Sequence, residues 1–364
     1  MTRAPTLAAL VFAACGDTAS SGFSTGPAIT SVSASTGGSS TSADSTSTGP
    51  ADDSAGGSSS TGLLHDVGTV TDFGPVQPPG CKGKVDLLFV ISRGGTMQTE
   101  QAQLLASFPG FIDTIEQKLE GFDVHIMTAN PDGKWPGWVC QNQSDGCNVE
   151  NWPTCGPEAP GYDCATFPDL VTECDEELGA GLIFNAGGGA ANKLCNLHGG
   201  DRYIISGEPD MTGALECIAK VGWSGGASMM GDAVIAALSP ASNGLNGAGG
   251  CNEGFLREDA LLVVVLIADY SDESKSYAKT QYEAIVAAKK VASAVVMLAV
   301  VPHPLGDAEP VPGCTYDDPP FLFEELLSKF PYHEFGDTCA PSYAPFFDKA
   351  AAKIGEACGS FIPQ

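Results

Sequence analysis

The sequence is poor in positive charge. Its 364 residues include 17 Lys and Arg against 44 Asp and Glu, which gives a formal net charge of −27 at pH 7. A chain this acidic lacks the basic surface on which nucleic-acid binding and adsorption to anionic lipid depend. We therefore expect no nucleic-acid partner, and we interpret the acidity as a contribution to solubility.

The sequence also lacks common signatures of catalytic and metal centres. It contains no HExxH motif and no CxxC pair, and its five histidines are scattered. The absence of CxxC pairs argues against zinc ribbons and thioredoxin-like redox sites. We do not expect catalysis from these patterns.

Cysteine, by contrast, is abundant. Cys15 stands apart near the N-terminus, and the other twelve cysteines form an even, widely spaced set between Cys81 and Cys358. Such a set is typical of disulfides formed in an oxidising compartment. The spacing does not determine which cysteine pairs with which.

The first 78 residues predict an exported, tethered protein. Residues 1–15 end in Phe12-Ala13-Ala14-Cys15, which resembles a lipobox, the signal for lipidation of the cysteine. Residues 16–78 are mostly Ser, Thr, Gly, Ala and Asp, and such a segment buries too little apolar surface to fold, so we predict a disordered linker. A lipid on Cys15 would anchor the chain on the extracytoplasmic side of a membrane of the cell envelope. An ordinary cleaved signal peptide is the alternative.

Strands that alternate with helices through residues 79–364 predict an α/β fold. Val85–Ile91 and the nine-residue run Ala260–Ala268 are typical of central parallel strands covered by helices on both faces, and neither is long enough to span a membrane. Further strands are expected at 122–129, 202–206, 294–301 and 332–335, and helices at 96–121 (broken near Pro109), 213–221, 231–238, 276–293, 321–330 and 344–358. We predict a doubly wound, mainly parallel sheet with helices on both faces.

Residues 131–200 interrupt this alternation. The segment shows little periodicity and contains six cysteines and three tryptophans. Long segments without regular structure are usually functional or disordered, and the cysteines argue against disorder. We predict a disulfide-rich insertion in which exposed Trp135 and Trp138 bind a partner. The alternative is a surface segment that is held by disulfides and binds no ligand.

Three segments carry a family resemblance. The loop Ser92-Arg93-Gly94-Gly95-Thr96-Met97 lies between a strand and a helix, 225–233 reads GGASMMGDA, and 252–274 reads NEGFLREDALLVVVLIADYSDES. Together they resemble the three site loops of a von Willebrand factor type A domain, and the third is similar to myxobacterial-type surface lipoproteins that carry this domain. The resemblance covers roughly residues 82–360 and implies that the insertion caps or flanks the site.

The resemblance also implies a metal-ion-dependent adhesion site. In the family, a DxSxS loop, a Thr and a distant Asp hold Mg²⁺ or Mn²⁺, and an acidic group of the partner completes the coordination. The five family positions correspond here to Ser92, Gly94, Thr96, Ser228 and Asp269. The first-loop Asp and Ser are thus replaced, so one of two carboxylates is lost and we expect a degenerate site that no longer binds a metal well.

The neighbours of these positions are further candidates. Arg93 brings a positive charge beside position 92, where the family's carboxylate is lost. We expect Arg93 to pair with Asp269 if the site holds no metal. Asp272 and Glu273 follow Asp269 closely and are the acidic residues that could compensate for the lost carboxylate.

The expected function is a membrane-tethered binding or adhesion module whose partner is a protein or a surface polymer. Its contact face would include Arg93, Asp272, Trp135 and Trp138. Two alternatives stay open. One is a secreted α/β hydrolase with Ser92 or Thr96 as the nucleophile, and the other is a structural envelope lipoprotein whose site has decayed.

Overall fold

The computed structural model describes residues 81, 83–118, 121–135, 170–223, 225, 228–240, 244–302 and 320–361. The predicted leader and linker, Cys15, Trp138 and residues 136–169 of the insertion lie outside the described residues. Within the described ranges, no helix has both the length and the apolar character needed to cross a membrane.

A six-stranded sheet forms the centre of the domain. The strands are β1 (Lys84–Ile91), β2 (Asp123–Ala129), β3 (Phe184–Asn185), β4 (Lys193–Leu194), β5 (Ile204–Ile205), β6 (Leu261–Ile267), β7 (Val295–Val301) and β8 (Tyr332–Asp337). The sheet has the order β5-β2-β1-β6-β7-β8, and all neighbours are parallel except the edge strand β5. β3 and β4 form a separate antiparallel pair within the insertion. The predicted strands are therefore confirmed.

Helices cover both faces of this sheet. They are α1 (Gln98–Lys118), α2 (Met211–Ala219), α3 (Met230–Ala237), α4 (Ala278–Lys289), α5 (Phe321–Leu327) and α6 (Ala344–Ser360). Because successive strand residues point to opposite faces, Leu87 and Phe89 pack with α1, α2 and α6, whereas Leu88 and Val90 belong to the core with α3, α4 and α5. This arrangement confirms the doubly wound α/β fold.

The first helix continues through Pro109, so the predicted break is wrong. Phe108 and Phe111 lie on either side of the proline and are almost fully buried. Both rings pack against Phe89 of β1 and Phe347 of α6. This packing keeps the helix in place although proline lacks the N–H that the helix would use.

Disulfides close the domain and fix its insertion. The described pairs are Cys81–Cys358, Cys174–Cys251 and Cys195–Cys217. The first joins the chain before β1 to the end of α6, 277 residues away. The other two tie the insertion to the loop before β6 and to α2. The prediction of a disulfide-linked domain is confirmed for these residues.

Candidate functional site

The loops after β1 and β6 meet at one edge of the sheet. The two strands are neighbours, and the backbone N–H of Ser92 donates to the carbonyl oxygen of Ile267 at 2.8 Å. From β1 the sheet continues through β2 on one side, and from β6 it continues through β7 on the other. The carboxyl ends of strands at such a reversal of strand order form the crevice where α/β proteins bind ligands.

Side-chain oxygens from these loops converge around Gly94. A Cβ atom placed on Gly94 would lie 3.4 Å from Ser92 Oγ, 3.7 Å from Asp269 Oδ1 and 3.7 Å from Thr96 Oγ1. The hydroxyl of Ser228 joins the group, since its oxygen lies 3.0 Å from Ser92 Oγ. We call Ser92, Thr96, Ser228 and Asp269 the oxygen cluster. Four residues predicted for the site are therefore brought together.

Three members of the oxygen cluster line a surface cavity of about 270 Å³. Ser92, Thr96 and Ser228 line it together with Tyr270 and Glu273. Tyr270 is 55% exposed, which makes it an aromatic side chain available for contact beside the oxygens. Tyr270 is not among the candidates from the sequence, although its position directly after Asp269 at a strand end could have indicated it.

Two carboxylates at this edge have buried oxygens without a partner. Oδ1 of Asp269 and Oε2 of Glu100 are buried, and neither has a hydrogen-bond partner among the described residues. Burial raises the pKa of Glu100, and the negative charge of Asp269 adds to the increase. Glu100 is not among the candidates from the sequence. Its place in the first turn of α1, four residues after Thr96, is the signal that could have found it.

Arg93 turns away from the oxygen cluster, so the expected pairing with Asp269 is wrong. Its guanidinium is fully buried and donates to Asp132 Oδ1 at 3.1 Å, to the carbonyl oxygen of Lys134 at 2.7 Å and to Asn185 Oδ1 at 2.8 Å. Burial lowers the pKa of Arg93, and the charge of Asp132 opposes that change. Arg93 ties the first loop to the insertion and offers no exposed group to a partner.

Asp272 is also buried and has a local structural role. It is 6% exposed and accepts hydrogen bonds from the backbone N–H groups of Met230 at 2.8 Å and Gly231 at 3.2 Å. These groups begin α3, where the helix dipole favours a negative charge. Burial raises the pKa of Asp272, and the hydrogen bond from the Ser274 hydroxyl opposes the increase. Asp272 holds the third loop against α3, and its carboxylate is engaged there instead of being exposed.

The insertion begins beside the site, but its first tryptophan faces the interior. Met229 donates its backbone N–H to the carbonyl oxygen of Pro131 at 2.8 Å, so the start of the insertion lies beside the loop before α3. Trp135 is 1% exposed and stacks on Phe184 with ring centroids 5.5 Å apart. The expectation of an exposed Trp135 is therefore wrong, because its ring fills the core of the insertion.

Among the described residues, no hydrogen bond joins Ser92 or Thr96, the nucleophile candidates of the hydrolase alternative, to a carboxylate or an imidazole. The hydroxyl of Ser92 neighbours the hydroxyl of Ser228 and accepts the backbone N–H of Gly94 at 3.2 Å. Ser224, in the G-x-S-x-G pattern of residues 222–226 (GWSGG), is a further nucleophile candidate that was missed from the sequence. Ser224 lies outside the described residues, so its surroundings carry no argument.

Comparisons with known proteins identify no family. No protein-family model and no curated protein matches the chain. Among solved structures, the chain is similar to proximal thread matrix protein 1 from the mussel byssus, with 9% sequence identity and a TM-score of 0.33. The match covers 75% of this chain and 48% of the byssus protein, so this chain spans about half the length of that structure.

Proposed function

We propose that the chain is a membrane-tethered, extracytoplasmic binding or adhesion module of the von Willebrand factor type A kind. Its contact face is the sheet edge formed by the loops after β1 and β6 and before α3. The observation that carries the proposal is the convergence of Ser92, Thr96 and Asp269 oxygens around Gly94 at the reversal of strand order. The lipobox-like segment before Cys15 and the disulfides support an extracytoplasmic location.

The oxygen cluster fits a divalent cation of the Mg²⁺ or Mn²⁺ class. Such ions prefer oxygen ligands, usually one or two carboxylates together with neutral oxygens and water. Asp269 supplies a carboxylate whose Oδ1 is buried and lacks a partner among the described residues, and the hydroxyls of Ser92, Thr96 and Ser228 supply neutral oxygens. The described residues contain no group of three or more His, Cys, Asp or Glu that could hold a metal, so an ion here would depend on these hydroxyls.

The same residues suggest how a partner would be recognised. A bound ion would supply an open coordination position for an acidic group, from either a partner protein or an acidic surface polymer. Tyr270, exposed at the cavity, would add an aromatic contact. Tyr270 of the third loop would thus provide the exposed aromatic contact that the sequence predicts at Trp135.

Isothermal titration calorimetry with Mg²⁺ and Mn²⁺ on the full, disulfide-bonded chain tests this proposal. We expect binding at roughly micromolar to sub-millimolar concentrations, a range common for oxygen-ligand sites, and loss of binding in Asp269→Ala. The double variant Ser92→Asp, Gly94→Ser rebuilds the family pattern and serves as the reference. If only the rebuilt variant binds, the site has decayed and the structural lipoprotein is the better description. If neither binds, the assignment of the loops is wrong.

A further inference from the structure

We infer that Gln101 and Gln281 are positioning residues of the candidate site, and that each holds its loops in place through a buried side-chain amide. Neither side chain is a ligand of the proposed ion. The inference rests on the proposed function, because the loops that the two amides hold are the loops that carry the oxygen cluster.

Gln101 and Gln281 occupy equivalent places in the fold. The strands β1 and β6 are the central pair of the sheet, and α1 and α4 are the helices that follow them. Because α1 begins at Gln98 and α4 at Ala278, each glutamine is the fourth residue of its helix. The two side chains are 2% and 1% exposed. Burial of an amide is costly unless it is hydrogen-bonded, so the partners of each amide show what it holds in place.

Gln101 joins the first loop, residues 92–97, to the loop before α3. Its Nε2 donates to the carbonyl oxygen of Ser92 at 3.2 Å and to that of Gly222 at 2.7 Å. Its Oε1 accepts the backbone N–H of Gly222 at 3.1 Å. One side chain thus pairs with both backbone groups of Gly222 and with Ser92, whose hydroxyl oxygen lies 3.0 Å from that of Ser228. Gln101 therefore fixes the two loops at the distance where these hydroxyls meet.

Gln281 holds the third loop, residues 268–277, against α3. Its Nε2 donates to Asp272 Oδ2 at 3.3 Å and to the carbonyl oxygen of Ser276 at 3.1 Å. The amide also lies against the first turn of α3, since a Cβ atom on Gly231 would be only 2.1 Å from Gln281 Nε2. Gln281 therefore fixes the position of the loop that carries Asp269.

An amide suits this task because it is uncharged and both donates and accepts at one end. Methionine has nearly the same length and offers no donor to these carbonyl and carboxylate oxygens. Substitution by methionine therefore fills the same space and leaves the buried oxygens without the amide that now pairs with them, which is costly. We expect the loops to open locally in such variants while the sheet stays folded.

Hydrogen exchange of the full, disulfide-bonded chain without metal, followed by mass spectrometry, tests the local opening. We expect Gln101→Met to raise exchange at least about fivefold in peptides that contain Gly222 and Ser228, and not in peptides from the third loop. Gln281→Met should raise exchange in the third loop instead. The matched control is Gln103→Met on α1, because Oε1 of Gln103 has no partner among the described residues. Its exchange should equal that of the wild type.

Calorimetric titration with Mn²⁺ measures the consequence for the site. Each of the two variants should bind Mn²⁺ about 10-fold more weakly, as is typical when a group that orients metal ligands is lost. Gln103→Met should stay within about twofold of the wild type.

A second control separates positioning from general stability. Arg257→Met removes the ion pair with Asp86 at the opposite edge of the sheet, so it should destabilise the fold and keep the wild-type affinity for Mn²⁺. If Arg257→Met weakens Mn²⁺ binding as much as the glutamine variants do, the effect is one of general instability and the inference is overturned.

The outcomes distinguish this inference from the proposed function. If Asp269→Ala abolishes Mn²⁺ binding and both glutamine variants bind like the wild type, the inference is wrong and the proposed function stands. If the wild type does not bind Mn²⁺, the cation part of the proposed function is overturned, and hydrogen exchange decides the inference. Opening confined to the loops would then support it, whereas unchanged exchange or opening of the whole domain would overturn it.

Discussion

Two aspartates at opposite ends of the central strands have contrasting surroundings. Asp86, near the amino end of β1, is fully buried, and both of its carboxylate oxygens accept hydrogen bonds from Arg257, one from Nε at 2.8 Å and one from the backbone N–H at 2.8 Å. Asp269 follows the carboxyl end of β6, and its Oδ1 has no partner among the described residues. The fold therefore neutralises the carboxylate of Asp86 with an internal cation, whereas Oδ1 of Asp269 has no such partner among the described residues.

We interpret Asp86 as a charge that stabilises the fold and Asp269 as a charge that is available to a ligand. Arg257 also pairs with Asp123 of β2, and the nearby ammonium of Lys289 donates to the carbonyl oxygen of Arg257. The amino end of the sheet thus contains cations for its carboxylates. At the carboxyl end, Arg93 of the first loop pairs with Asp132 and not with Asp269. If this contrast is one of stability against binding, substitutions at the amino end should change the unfolding free energy and substitutions at the carboxyl end should change cation affinity.

The largest expected effect comes from removing the internal cation of Asp86. Arg257→Met leaves that carboxylate buried without its guanidinium, and breaking such a pair typically costs about 3–5 kcal/mol of unfolding free energy. Urea denaturation, monitored by circular dichroism, measures this loss of unfolding free energy. The control is Lys279→Met, which removes an exposed cation whose side chain is 79% accessible. A loss in Arg257→Met no larger than in the control would mean that the pair does not support the fold.

The pH dependence of that loss identifies Asp86 as its source. Burial raises the pKa of Asp86, and the charge of Arg257 opposes the increase, so the variant should have a still higher pKa at this group. An acid whose folded pKa lies above its unfolded value stabilises the fold at low pH and loses that contribution as pH rises through the folded pKa. The difference between wild type and Arg257→Met should therefore be smaller at about pH 4 than at about pH 7. A difference independent of pH would assign the loss to packing instead.

Arg93 provides a test within the site region. Because its guanidinium is buried with Asp132, Arg93→Met should lower the unfolding free energy by about 3 kcal/mol. The pairing with Asp269 expected from the sequence predicts the opposite pattern, with little loss of stability and tighter Mn²⁺ binding once the arginine is gone. Urea denaturation and Mn²⁺ titration of the same variant distinguish the two.

The strands that position the site could be predicted from the sequence better than the partners of its side chains. The apolar runs of β1 and β6 indicated buried parallel strands, and their carboxyl ends place Ser92, Thr96 and Asp269 at one edge. These relations follow from local patterns. The direction of Arg93 does not, because its partners Asp132 and Asn185 lie 39 and 92 residues further along the chain.

The same limit applies to the other corrections. Trp135 was expected on the surface because the insertion has no periodicity that would indicate an interior face, whereas its burial depends on Phe184 in β3. Disulfide pairing likewise depends on which cysteines the fold brings together. Glu100 is the exception, since its spacing from Thr96 is local and could have been recognised.

Asp269 should behave in the opposite way to Asp86. Without metal, Asp269→Asn is expected to change the unfolding free energy by less than about 1 kcal/mol, because no internal hydrogen bond to Oδ1 is lost. At a Mn²⁺ concentration about 100-fold above the dissociation constant, the wild type should gain about 2.7 kcal/mol and the variant should gain nothing. Urea denaturation with Mn²⁺ and with a chelator measures both values. Equal gains in the two proteins would place the bound ion elsewhere.

The smallest expected change in stability comes from filling the space between the oxygens. A methyl group on Gly94 would lie 3.4 to 3.7 Å from Ser92, Asp269 and Thr96 oxygens, which is ordinary contact, so Gly94→Ala should alter stability by only about 0.5 kcal/mol. The methyl would exclude water from the space between these oxygens without adding a ligand, whereas the serine of the rebuilt variant carries a hydroxyl that can coordinate an ion, so we expect Mn²⁺ affinity in Gly94→Ala to fall about tenfold.

Gly95→Ala is the matched control for this variant, since a Cβ atom there meets nothing within 4 Å. Both variants make the same chemical change in adjacent residues of one loop, so only the position of the methyl differs. Calorimetric titration with Mn²⁺ should therefore separate them. Equal affinities in Gly94→Ala and Gly95→Ala would show that the ion does not use the space around Gly94. The open carboxylate of Asp269 would then need another explanation, because the oxygens that face that space would not be its ligand set.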